Sequence, residues 1–386
     1  MPSAARHPNL YQSYAERSEQ PNLTPLATYL LRLIHHKKTN LCVSADVSTT
    51  AELLQLAEDV GDQICVLKTH ADIIQDFTDR TARGLAEVAR RKRFIIFEDR
   101  KFGDIGNTVQ LQYTGGPLSI VRWAQIVNAH LFPGPAIITA LAEAARNAIA
   151  AHNTSVSTEI SASPIVKTGA HDDSVESEEE SSAQDEESEA EEIADPDEDR
   201  KGRKQSVVSV STTISTKTET ISPQPSLRPT MSRESTQESD EDEEDDDSEA
   251  ALEELGPAPF YRSLLLLAEM SSKDNMLTPQ YTDACVKHAR SNRDFVMGFI
   301  AQRSLNSEKD DNFITMTPGV QLAAGGDAHG QQYNTPRKVI GDGGSDVMIV
   351  GRGILQASDR KKTAAEYRKQ GWQAYEERLK AGRKRR

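Results

Sequence analysis

Eight short apolar runs recur along the chain: Leu41–Asp46, Ile64–Thr69, Phe94–Glu98, Ala124–Asn128, Leu264–Glu269, Phe295–Ala301, Phe313–Thr317 and Val347–Val350. Most are nearly continuous in Val, Ile, Leu and Phe rather than alternating with polar residues. Strands buried on both faces read this way, as in a parallel sheet. Helical patterns lie between them. Thr49-Thr-Ala-Glu52 reads as a capping box, Leu53, Leu54, Ala57 and Val60 follow at helical spacing, and Gly61 is a stop signal. Ile73–Arg93, Ile138–Ala151, Pro279–Arg290 and Tyr367–Leu379 are further helical stretches. Strand and helix alternate, and eight strands predict an α/β chain folded as one closed (β/α)₈ barrel.

The pattern breaks once, between the fourth and fifth strands. Residues 151–256 separate a first part of the barrel, 1–150, from a second, 257–386. From His171 to Leu255 there are 30 Asp and Glu against 7 Lys and Arg, a net of −23, whereas the whole chain carries −15. The rest is therefore mildly basic, at +8, which suits an anionic ligand. Two acidic runs, Glu176–Asp199 and Glu234–Glu254, flank a stretch rich in Ser, Thr and Pro. Such a sequence buries too little apolar area to offset its ordering entropy, so the insertion is expected to be disordered. Closure entropy grows only logarithmically with loop length, so a surface loop accepts it. Its Ser and Thr residues beside Asp and Glu fit phosphorylation or partner binding, and a neutral expansion fits as well.

Three cysteines, Cys42, Cys65 and Cys285, sit in apolar runs without metal-ligand spacing. They read as buried, reduced thiols in a cytoplasmic protein. The start of the chain lacks a signal-peptide core, and no apolar run approaches a membrane span. No membrane or nucleic-acid partner is expected, and the basic end Lys380–Arg386 reads as a frayed, solvated tail.

In a (β/α)₈ barrel the chemistry lies at the C-terminal ends of the strands. Nearly every run here delivers a polar group there: Asp46, Lys68-Thr69-His70, Glu98-Asp99-Arg-Lys101, Asn128-Ala-His130, Glu269-Met-Ser271, Gln302-Arg303, Thr317-Pro318 and Gly351-Arg352. Asp99-x-Lys101-x-x-Asp104 is the densest. Alternation puts Asp99 and Lys101 on one face, and Asp104 can return after a turn at Gly103. With Lys68 nearby the charges alternate Lys–Asp–Lys–Asp, which favours the ionised form of each. An ammonium beside a reacting carbon can deliver a proton. A carboxylate set against a substrate carboxylate favours its loss. A second cluster suits a phosphate: Gln331 and Tyr333 after the seventh run, and Arg352 between Gly351 and Gly353 after the eighth. Ala324–Asp327 reads as a mobile loop able to close over a ligand.

These residues resemble the signature of eukaryotic orotidine 5′-phosphate decarboxylases. The resemblance rests on Asn40–Asp46, Leu67–Asp72, Phe97–Val109, Leu267–Lys273, Thr317–Val320, Gly330–Tyr333 and Ile349–Gly353, in order, from about Tyr14 to Leu379 apart from the insertion. It implies conversion of orotidine 5′-phosphate to uridine 5′-phosphate, without cofactor or metal. It further implies Lys101 as the proton donor, Asp99 against the departing carboxylate, and Lys68 with Asp46 holding ribose hydroxyls and the array. Thr69, His70 and Asn128 join the substrate-binding set. Ser271 and Pro318 would lie at the pyrimidine, and Gln331, Tyr333, Gly351 and Arg352 at the phosphate. Asp104 and Thr108 would reach into the site of a second subunit, which implies a homodimer. Ala45 and the Leu131–Gly134 segment depart from the family form at no matched catalytic position. The chain is expected to be monofunctional. Two other readings are a magnesium-dependent keto-sugar-phosphate decarboxylase with the same Asp-x-Lys-x-x-Asp segment, and an inactive barrel serving as scaffold for the acidic insertion.

Overall fold

Each of the eight apolar runs forms a strand in the computed structural model of the protein, which describes residues 7–164, 206–216, 250–323, 325–326 and 332–383. The strands, in chain order, are β1 (Leu41–Ala45), β2 (Val66–Thr69), β3 (Ile95–Phe102), β4 (Ile126–Ala129), β5 (Thr154–Pro164), β6 (Ser206–Thr216), β7 (Ser263–Leu267), β8 (Val296–Ile300), β9 (Ile314–Thr317), β10 (Gly325–Gly326), β11 (Gln332–Tyr333) and β12 (Val347–Val350). The helices are α1 (Tyr14–Ser18), α2 (Pro25–Lys37), α3 (Thr50–Val60), α4 (Asp79–Lys92), α5 (Gly106–Thr114), α6 (Ala136–Asn153), α7 (250–255), α8 (Pro279–Arg290), α9 (Arg352–Leu355) and α10 (Arg360–Arg383).

Eight of the strands close a parallel barrel in the order β1-β2-β3-β4-β7-β8-β9-β12 and back to β1. Its strands are buried along their whole length, except that β3 opens at Asp99, Arg100 and Lys101. Thr49 and Glu52 form the expected capping box, and α8 has the expected bounds. The Ile73–Arg93 stretch is two elements, a 3₁₀ turn at Ala71–Ile73 and then α4, because Thr78 starts a helix of its own by exchanging hydrogen bonds with Thr81.

The segment before β1 closes the N-terminal end of the barrel. Arg17 pairs with Asp346 and donates to Asn312 Oδ1 at 2.9 Å, both just ahead of strands. Lys37 Nζ lies 2.6–2.8 Å from the carbonyl oxygens of Gly61, Ile64, Lys92 and Arg93 and shares its N–H groups among them, tying three connections together.

On its first side the barrel unit runs to His152. Helix α7 belongs to it through Leu252 and Leu255, which pack on the core. Within the insertion, β5 and β6 pair antiparallel from Thr154↔Thr216 to Pro164↔Ser206. Ser206–Thr216 is rich in Val, Ile and Thr, which favour extended chain. Residues 165–205 and 217–249, with most of both acidic runs, lie outside the described residues.

Candidate active site

Strand β3 carries two more residues than its neighbour at the mouth of the barrel. Glu98 pairs with Val127 and Phe102 with Ala129, so Asp99, Arg100 and Lys101 face the single residue Asn128. Such a bulge kinks a strand and re-aims its side chains. Lys101 takes φ +50°, a left-handed conformation uncommon outside glycine. Asn128 holds the bulge from both sides: its Oδ1 accepts from the Lys101 N–H and its Nδ2 donates to Asp99 Oδ1, each at 2.7 Å. Asp99 and Lys101 thus reach one face, through a bulge rather than through the plain alternation that the sequence suggests.

Asp99 is the hub. Lys68 Nζ donates to its Oδ2 at 2.6 Å and Lys101 Nζ lies 2.7 Å from its Oδ1. Lys68 also lies 2.8 Å from His70 Nε2, which is 3.4 Å from Asp99 Oδ2 and 3.7 Å from Asp46 Oδ1. Ser44, not anticipated, buttresses Asp46 with a hydrogen bond of 2.8 Å. Asp46, Lys68, His70, Asp99, Lys101 and Asn128 therefore converge from four adjacent strands.

Burial alone would push the Asp99 carboxyl up, but Lys68, Lys101 and His70 together hold it well below the usual carboxylate range. Burial and then Lys68 push His70 down. Its ring is thus neutral at pH 7, with Nε2 accepting from the Lys68 ammonium. His130 is pushed down by burial and then by Lys101. The Lys101 side chain is 37% exposed against 9% for Lys68, so Lys101 is the more accessible of the two ammonium groups.

Other expected site residues fall into three groups. Thr69 and Asn128 are turned inward: Thr69 is fully buried with its hydroxyl on Glu98, and both ends of the Asn128 amide serve the bulge. The polar groups of these side chains hold the site's frame. Asp104 and Thr108 stand apart from the hub. Asp104 accepts from Ile105 N and Gln112 Nε2, and Thr108 is exposed on α5. At the far side of the mouth, Tyr333 on β11 and Arg352 at the start of α9 come together, the guanidinium 5.5 Å from the ring centroid. Gly351 brings the backbone close to Asp46, since a Cβ there would lie 3.4 Å from its carboxylate. Ser271 accepts through its carbonyl from Gln332 N at 3.2 Å, and Pro318 is half-buried after β9. Gln331 and most of the 324–330 loop lie outside the described residues, although Gly325–Gly326 pair with Gln332–Tyr333.

Among the described residues no group of three or more His, Cys, Asp or Glu is arranged to hold a metal ion. None of their helices is long and apolar enough to cross a membrane. The three cysteines are free and buried.

The profile of the family described as "Orotidine 5'-phosphate decarboxylase / HUMPS family" matches residues 39–219 and 234–367. The chain belongs to this family. It is 46% identical over 372 residues to an Aureobasidium pullulans protein named orotidine 5′-phosphate decarboxylase, a carboxy-lyase, covering 96% of each chain. A Hypocrea atroviridis protein of the same name is 44% identical, across 97% of this chain and 99% of its own. The Bos taurus uridine 5′-monophosphate synthase is 35% identical over 98% of this chain but 55% of its own length. A crystal structure of orotidine 5′-monophosphate decarboxylase from Methanocaldococcus jannaschii overlays with a TM-score of 0.45 at 14% identity, covering 86% of this chain and 98% of that one.

Proposed function

We propose that the chain converts orotidine 5′-phosphate to uridine 5′-phosphate in pyrimidine nucleotide synthesis, as a cytoplasmic homodimer and without cofactor or metal. The observation that carries this reading is the Asp99 carboxylate held between the ammonium groups of Lys68 and Lys101 at 2.6 and 2.7 Å. With substrate bound, Asp99 lies against the pyrimidine carboxylate. The bond from C6 to that carboxylate breaks, carbon dioxide leaves, and the electron pair stays on C6. Lys101, the exposed ammonium, transfers a proton from Nζ to C6 and is reprotonated from solvent. The hub is fixed before substrate arrives, so little reorganisation accompanies the change of charge. Asp46 and Lys68 hold ribose hydroxyls, with His70 alongside. Ser271 and Pro318 border the pyrimidine. Tyr333, Arg352 and Gln331 hold the phosphate, with Gly351 giving backbone access. Asp104 and Thr108 complete the site of the partner subunit, which fits their distance from the hub of their own chain.

The test is the loss of absorbance as orotidine 5′-phosphate is consumed, with chelator present, for the wild type and Lys101→Ala. Wild-type turnover and a fall of roughly 10²–10⁴-fold in kcat for the variant are expected, the range of a general acid. A folded wild type without turnover overturns the assignment. Turnover of a keto-sugar phosphate restored by magnesium would move the reading to that reaction.

A further inference from the structure

Beside Asp99, on the opposite face of β3 from the preceding Phe97, lies a carboxylate that the reaction above does not use. Glu98 is fully buried. Its Oε2 accepts from the Thr69 hydroxyl at 2.6 Å, and the Ala71 N–H lies 3.0 Å from Oε1 and 3.1 Å from Oε2. Thr69 and Glu98 are register partners on β2 and β3, while Lys68 pairs with Phe97. Successive residues of a strand point to opposite faces, so Lys68 and Thr69 divide between them. His70 is thus the one residue between two positions fastened to the same carboxylate, and its ring meets Lys68.

We propose that Glu98 is a positioning residue for the reaction proposed above: it fixes the Thr69–Ala71 turn and, through His70, sets the Lys68 ammonium against Asp99. The other charges reaching it, Asp72 and Asp99, are both negative. The carboxylate is therefore held for its acceptor geometry and not as partner to a cation. Burial pushes it up to about 7, against the pull of its Thr69 and Ala71 hydrogen bonds. Either protonation state meets the same demands. Ionised, it accepts both bonds. Protonated, it accepts from Ala71 with one oxygen and donates to Thr69 with the other, while the Thr69 hydroxyl turns to the Phe97 carbonyl, 3.4 Å away. An alkyl side chain meets neither demand: the Ala71 N–H is left buried and unpaired, and the Thr69 hydroxyl keeps only the long contact of 3.4 Å to the Phe97 carbonyl.

The experiment compares the wild type, Glu98→Gln, Glu98→Ala, His70→Ala and the Glu98→Ala/His70→Ala double variant. It reads kcat for orotidine 5′-phosphate, the Kd of uridine 5′-phosphate, and circular dichroism. A displacement of about an ångström in a catalytic array costs on the order of 10²-fold. Glu98→Ala is expected to lose that much in kcat and distinctly less in product affinity, because the phosphate end is untouched and only the Lys68 contact to the ribose shifts. Glu98→Gln keeps an acceptor and a donor and is expected to recover to within about fivefold of wild type. The double variant should be no worse than Glu98→Ala, since both act on one contact. Wild-type kcat in Glu98→Ala, a Glu98→Gln as impaired as Glu98→Ala, or losses that multiply fully in the double variant would each overturn the proposal. Where Glu98→Ala does not fold, Thr69→Val removes one anchor alone, and an undiminished kcat there overturns it equally. A wild type without turnover sinks the functional reading instead, so the two failures are distinguishable.

Discussion

Lys101 is held in an unfavourable backbone conformation, at φ +50°, where its amine meets Asp99. A left-handed non-glycine residue costs roughly 1–3 kcal/mol and persists only where its surroundings over-determine it. Here the Asn128 amide, the bulge of β3 and the Asp99 ion pair do so. At the same scale, Glu98 and Asp99 are neighbours with opposite electrostatics. Asp99 is held low by cations and contributes stability down to strongly acid pH. Glu98 is raised from 4.5 to about 7, so between those values the folded chain holds a proton that the unfolded chain has released. Stability from this group is present below about pH 4.5 and is lost as pH rises through about 7. Relative to Glu98→Gln, the wild type is expected to lose about 3 kcal/mol of unfolding free energy across that window, because each tenfold difference in proton affinity is worth about 1.4 kcal/mol. Urea unfolding at several pH values measures it, and a flat difference would refute it. The site's residue types were legible in the sequence, because alternating Asp and Lys at a buried strand end leave few structural uses. The roles of Thr69, Asn128 and Glu98 were less so. The partners that fasten Glu98 lie 27–29 residues earlier in the chain.

Among the elements, all eight barrel strands were readable because burial on both faces writes continuous apolar runs. The bulge was not. It exists only in the pairing of β3 with β4, and neither strand alone records how many residues will face Asn128. The N-terminal closure was hidden for a similar reason: Arg17, Lys37 and Asp346 look like surface charges until their partners are known. Strands β8 and β9 impose a sharper constraint. Gly298 pairs with Ile314, and a Cβ at Gly298 would land on the Ile314 carbonyl oxygen. Backbone cannot yield as a flexible side chain does. Gly298→Ala is therefore expected to cost about 3 kcal/mol, the upper end for overpacking, with a matching fall in Tm. An unchanged Tm would mean that the strands separate there at little cost.

For the whole molecule, Asp104 and Thr108 decide whether one chain suffices. Lys101→Ala and Asp104→Ala should each be nearly inactive. If sites are completed across a two-fold dimer, mixing and re-equilibrating the two proteins yields heterodimers with one intact site. Equal mixing then restores about a quarter of wild-type activity, since half the dimers are mixed and half their sites are whole. No recovery, with subunit exchange verified by mass, would place Asp104 in its own chain's chemistry.

The interruption between β4 and β7 also bears on how the protein is made. Ala129 ends one strand, and Ser263, which starts the next in the barrel, follows about 130 residues later. At roughly 5–20 residues per second, a ribosome needs about 7–30 s to cross that interval. For that time β1 and β4 lack their barrel partners β12 and β7, so a sheet formed by the first four strands would have both edges open. Such a half-barrel is expected to be prone to aggregation, and slower translation of the intervening codons would lengthen its exposure.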